Sequence, residues 1–90
     1  MCRNIKPLFN FEPVVTDDEI HNAALQFVRK VTGYNKPSRA NETAFHHGVE
    51  EIARVTRELM DALITDAPPR DREIEAQRAR ERGQRRFGAA

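Results

Sequence analysis

The sequence predicts an all-α fold, an antiparallel helical hairpin with an extended N-terminal arm and a polar, Arg-rich C-terminal helix. Three observations predict it. From Asn41 to Thr65, apolar positions recur at alternating spacings of four and three (Phe45, Val49, Ile52, Thr56, Leu59, Leu63), with Ala53 and Met60 widening the stripe; this is one face of a helix. A second stripe, Ile20, Ala23, Ala24, Phe27, Val28 and Val31, comes after the capping sequence Thr16-Asp17-Asp18-Glu19. Only the short segment Tyr34 to Ala40 separates the two, and a connection that short makes consecutive helices antiparallel neighbours.

Taken in order, residues 1–15 mix Ile5, Leu8, Phe9, Phe11, Val14 and Val15 with Pro7 and Pro13, which forbid a regular helix and discourage a central strand. An extended arm packed on the helices is expected, with Phe9 and Phe11 on one face and Asn10 outward. The first helix is expected over 17–32. Thr16 caps it, three carboxylates sit at the positive end of its dipole, and Val15 and Ile20 are placed for a hydrophobic staple. Arg29 and Lys30 complement the dipole in the last turn, and Gly33 supplies a residue able to take positive φ. In the loop, Pro37 biases Lys36 away from helix, and Ser38 or Asn41 is the candidate cap of the next element. That second helix, 41–65, would span roughly 38 Å at a 1.5 Å rise. Asp66-Ala67-Pro68-Pro69 ends it, and the diproline suits the first turn of a further helix. This third helix is expected near 69–86, carried by charge pairs at helical spacing such as Glu75/Arg78 and Glu81/Arg85. Its few apolar residues leave it mostly exposed and frayed, with Gly83 weakening its end. Phe27, Phe45, Val49, Ile52 and Leu59 are the expected core.

Ninety residues allow one modest core. We read 1–69 as a helical domain including the arm, and 70–90 as an Arg-rich helix or tail. The net charge of +1 hides an asymmetry. Residues 1–69 hold eight Lys/Arg against ten Asp/Glu, and 70–90 hold seven Arg against four acids, so attraction to an anion is concentrated in the tail. The single cysteine, Cys2, excludes an intramolecular disulfide. No apolar run approaches a signal h-region or a membrane span. A cytoplasmic location with no membrane association is expected.

Four blocks, MCRNIK at 1–6, QFVRKVTG at 26–33, KPSRAN at 36–41 and APPRDREIE at 67–75, give the chain a resemblance to a bacterial family, DUF2277, catalogued as a domain of unknown function. The resemblance covers nearly the whole chain and departs from the family pattern at Val14, where a second proline is common. It implies kinship without an assigned activity, so no catalytic residue carries over.

Cys2 is the candidate for catalysis. Removal of Met1 would leave a thiol next to an α-amine able to act as its base, with Arg3 beside it to lower the thiol pKa. Against this stands a small hydrophobic cysteine in a helical chain with little room for a pocket. His46 and His47 are the candidate metal ligands, with His21 and Cys2 as further donors. Adjacent helical residues point about 100° apart, the HExxH spacing is absent, and solvated surface histidines are the competing reading. Arg29, Lys30, Lys36 and Arg39 bracket the interhelical loop as a candidate anion site, against the ordinary placement of cations at a helix C-terminus and in an exposed loop. The loop reads Lys36-Pro37-Ser38, so it lacks the His-Pro-Asp motif that J-domain chaperones carry at the equivalent turn. In the tail, Arg78, Arg80, Arg82, Arg85 and Arg86 suit RNA or another polyanion, against a solvated helix laced by Glu73, Glu75 and Glu81.

These readings lead to an expectation of a small non-catalytic cytoplasmic binding or interaction protein. It would need no cofactor, and its partner would be nucleic acid or a protein met through the Arg-rich tail. The competing class is a small enzyme or metal protein centred on Cys2.

Overall fold

The structure, a computed structural model, describes residues 5–88, with side chains at 85–88 outside that description. The element order is β1 (Phe11–Glu12), α1 (Asp17–Thr32), a 3-10 turn (Arg39–Asn41), α2 (Glu42–Ala62), β2 (Arg70–Asp71) and α3 (Arg72–Gly88). The fold is mostly helical, so the all-α expectation holds approximately, with β1 and β2 adding a small two-stranded sheet. These pair in parallel, Phe11 opposite Arg70 and Glu12 opposite Asp71. Two-residue strands carry no alternation to read, and the pairing joins segments far apart in sequence. Pro13, preceded by a cis peptide bond, comes directly after β1 and has no N–H to extend the ladder.

The start of α1 is the predicted capping box. The Glu19 backbone N–H donates to Thr16 Oγ1 at 3.2 Å, and the Thr16 N–H donates to Glu19 Oε1 at 3.1 Å. The end is also as expected, Gly33 at φ 80° with its N–H donating to the Arg29 carbonyl. For α2 the candidate caps are used differently. Asn41 precedes the helix without a side-chain cap bond, and its Nδ2 donates to Ser38 Oγ at 2.9 Å. The second helix stops at Ala62 rather than Thr65, where Leu63 turns extended at ψ 141°. Ile64 and Thr65 are β-branched and lose side-chain freedom in a helix; Ile64 is 97% exposed, so packing gives nothing back.

Residues divide into two units, 5–9 with 15–65 in the first and Asn10–Val14 with 66–88 in the second. In the first unit α1 and α2 pack along one another, Ala24 and Val28 clustering with Phe45 and Val49, and Leu25, Ile52 and Ala53 against them. Near the other end of α2, Arg57 donates to Asp17 Oδ1 at 2.8 Å and to the Val15 carbonyl at 3.2 Å. The fully enclosed side chains, Ile20 and Val49, and the buried Val15 belong to the same unit. Phe45 and Val49 are core as expected and Ile52 is half-buried, but Phe27 and Leu59 are 47% and 57% exposed. Two helices meet along a single line, so one flank of each wide apolar stripe stays exposed, as Phe27 and Leu59 are. Leu8 and Phe9 are half-buried and Ile5 is exposed.

In the second unit Asn10 takes φ 64°, a left-handed conformation that asparagine tolerates better than most residues. Its Nδ2 donates to the Ala67 and Pro68 carbonyls, both at 3.3 Å, and its carbonyl accepts from the Arg70 N–H at 2.8 Å. Asn10 therefore holds the strand pair together instead of pointing outward. Phe11 lies under the Arg70 guanidinium, 5.1 Å from carbon to ring centroid, a cation–π contact.

Candidate functional site

The third helix begins later than the sequence suggests. The diproline precedes β2, and Asp71 caps the helix by accepting from the Ile74 N–H at 2.9 Å. It runs through Gly83 to Gly88 without a break. None of its described side chains is buried, and Ile74, its largest described apolar side chain, is 50% exposed. Over its described side chains the helix is therefore held by local forces: the Asp71 cap, acids in the first turn and side-chain pairs along its surface. Gln77 donates to Glu81 at 3.4 Å and Arg78 pairs with Glu75 at 3.2 Å.

Helical geometry sorts these charges. At about 100° per residue, Arg72, Arg78, Arg82 and positions 85 and 86 fall on one arc of roughly 140°, while Glu73, Gln77, Glu81 and Gln84 fall outside it. Only Glu75 shares the arginine arc, and it is the partner of Arg78. Arg78 keeps 62% of its side chain exposed, and Arg80 and Arg82 are exposed.

The loop cluster divides. Arg29 is half-buried and its Nε donates to the Asn35 carbonyl at 3.0 Å, which ties the loop to α1. Lys30, Lys36 and Arg39 are exposed, and none makes an ion pair among the described residues. His46 and His47 are both exposed on α2, His46 edge-on to Phe45 at 5.6 Å. Among the described residues no three His, Cys, Asp or Glu side chains gather as metal ligands. Cys2 lies outside the described residues.

One feature had no sequence signal. An open cleft of about 560 Å³ lies along α1 and α2, lined by Asp17, Asp18, His21, Glu50, Arg54 and Arg57 among others. Its residues are drawn from two separate helices, and each reads singly as a solvated helix surface. Both arginines are engaged, Arg57 by Asp17, and Arg54 by Glu51 and Glu58 at 2.7 Å each. The hydrogen bond and charge of Arg54 hold the Glu51 carboxyl below its ordinary range, and the two glutamates raise the Arg54 guanidinium. No charged or polar side chain is buried among the described residues.

No helix among the described residues is long and apolar enough to cross a membrane. A family model described as "Uncharacterized conserved protein (DUF2277)" matches residues 1–78. No curated protein and no solved structure matches the chain.

Proposed function

The chain belongs to this family of uncharacterised conserved proteins, and from that premise we propose that it is a small non-catalytic binding protein for a polyanion, nucleic acid first, engaged through the arginines of α3. In this reading residues 1–69 are a helical body built on an antiparallel α1–α2 hairpin, and 70–90 are the binding tail of a cytoplasmic protein. The carrying observation is a helix that buries none of its described side chains yet places five of its six arginine positions, all but Arg80, on one arc. Positions 78, 82, 85 and 86 recur at the three- and four-residue spacings that fall along one side of a helix. Such a side meets a phosphate backbone by charge, with little base preference. Lys30, Lys36 and Arg39 form a secondary basic surface of the body.

Fluorescence anisotropy of the full chain with a single-stranded RNA oligomer tests the reading, with duplex DNA and heparin alongside. Three to five phosphate contacts at a slope of roughly −0.7 each predict an approximately 20- to 130-fold loss of affinity between 50 and 200 mM salt. Reversing Arg78 and Arg82 together to Glu removes binding, whereas Lys36→Glu leaves most of it. No binding tighter than about 100 μM at low salt, the range of non-specific binders, refutes the proposal. Loss of binding in Lys36→Glu alone moves the site to the loop and refutes the assignment to α3.

A further inference from the structure

The two flanks of the α1–α2 pair differ in kind. One is the charged cleft already described. The other is apolar. Asp17 pairs with Arg57, and Val28 clusters with Phe45, so the helices run in opposite directions and Phe27 is level with 46–48, Ala23 with 50–52. Projected at about 100° per residue, Ala23, Phe27 and Val31 of α1 and Ala44, Gly48, Ile52, Val55 and Leu59 of α2 fall on the flank opposite the cleft. Phe27, Val31, Val55 and Leu59 are 47%, 68%, 52% and 57% exposed there. Ile52, Val55 and Leu59 recur at three and four residues, a second seam beside the one that already holds α1. A helix in a two-helix pair needs one seam, whereas a helix in a four-helix bundle needs a face wide enough for two neighbours.

Large and small residues alternate across this face. Bulky Phe27 and Val31 on α1 are level with small Gly48 and Ala44 on α2, while small Ala23 on α1 is level with Ile52. A second copy turned by a two-fold axis parallel to the helices lays α1 over the partner's α2 at the same level. Phe27, Val31 and Ile52 then each meet a small residue, twice by symmetry, while Val55 and Leu59 lie level with residues 14–19 at the start of the partner's α1. Gly48 is an independent mark of this arrangement. Glycine inside a helix costs stability relative to alanine, and a Cβ built at Gly48 meets nothing within 4 Å. Packing among the described residues therefore gives no reason for it.

We infer that this face is the interface of a symmetric homodimer, in which Phe27 of each copy packs on Gly48 of the other and the two helix pairs form a four-helix bundle. The size is suitable. Two helices side by side, about 20 Å across and about 24 Å along the 16-residue α1, give a footprint of roughly 500 Å² in projection and more as accessible surface. Counted on both partners this is about 1,000 Å², the lower bound for a specific interface and in keeping with a weak dimer.

Sedimentation of the full chain, with its 10.3 kDa mass, tests this directly. A dimer is expected at tens of micromolar. Val55→Glu combined with Leu59→Glu, both at exposed positions, should give a monomer with unchanged far-ultraviolet circular dichroism. Gly48→Leu is the sharper variant, since the Cβ of its side chain meets nothing within 4 Å among the described residues; it should keep or raise helicity while weakening dimerisation at least 100-fold. Mixed labelled and unlabelled protein should show intermolecular nuclear Overhauser effects from the Val55 and Leu59 methyls. A monomer at 200 μM overturns the inference, whether the face is then free, covered by α3 of the same chain or taken by a different protein. A dimer that survives Gly48→Leu, or that lacks those intermolecular effects, overturns it equally.

Discussion

Glu51 shows what a surface contact does in this protein and what it does not. Its carboxyl is lowered from 4.5 first by the hydrogen bond from Arg54, then by the charge of Arg54, with His47 adding a little. A carboxyl lowered in the folded state contributes stability that is present above its unfolded value and lost as pH falls through the folded one. The loss here belongs to the acid side of pH 4.5, and solvent screening keeps the contribution small. Arg54→Gln should raise the Glu51 titration midpoint toward its ordinary value, as tracked by carboxyl carbon resonances; an unmoved midpoint removes Arg54 as the cause. Burial separates the apolar residues more widely. Phe45 is 7% exposed and Ile64 is 97% exposed. Replacing Phe45 by Ala should cost about 3–5 kcal/mol in urea unfolding, a large share of the ~5–13 kcal/mol such a domain holds. Ile64→Ala should stay within about 0.5 kcal/mol.

At the scale of elements, the two ends of α1 are fixed by different physics and should answer to different substitutions. Thr16 acts through its hydroxyl, which accepts from the Glu19 N–H at 3.2 Å. Thr16→Ala should therefore cost about 1 kcal/mol and Thr16→Ser almost nothing. Gly33 acts through its backbone at φ 80°, and a Cβ there meets no atom within 4 Å. Gly33→Ala should nevertheless cost about 1–2 kcal/mol, because the left-handed conformation itself is penalised. On a thermal melt each kcal/mol corresponds to about 4–8 °C in a domain of this size. Equal melting temperatures for Gly33→Ala and the parent would show that the turn adopts another conformation in solution.

On the scale of the whole molecule, burial is concentrated in one unit. Val15, Ile20, Ala24, Val28, Phe45 and Val49, the buried side chains among the described residues, all lie in the unit built on α1 and α2. The unit of β1, β2 and α3 is held by the Asn10 hydrogen bonds, the short ladder, the Arg70–Phe11 contact and surface pairs. Amide hydrogen exchange should accordingly be slow through the middle of α1 and α2 and fast along α3, since exposed helices with few apolar contacts open at little cost. Comparable protection in α3 and α2 would mean that α3 has an apolar partner in solution, and the anion-binding reading would lose its exposed helix. Asn10→Ala should speed exchange at Arg70, whose N–H donates to the Asn10 carbonyl at 2.8 Å, without altering the centre of α2.

What the sequence determined by itself is what local physics determines. The capping box, the left-handed Gly33, the apolar period of α2 and the charge pairing of α3 are interactions among residues within about four positions of one another, and all are legible in order along the chain. The stripes also predict that α1 and α2 pack, but not which flank of each is used. Phe27 and Leu59 carry the same sequence signal as Phe45 and Val49, and only the line of contact between two helices separates exposed from buried. The strand pair needed tertiary structure for another reason. Its partners, Phe11 with Arg70 and Glu12 with Asp71, stand at opposite ends of the chain, and two-residue strands leave no periodic trace. The candidate site divides in the same way: the arginine arc on α3 is a property of one helix and could be read directly, whereas the cleft along α1 and α2 and the placement of Gly48 level with Phe27 exist only once the two helices are side by side.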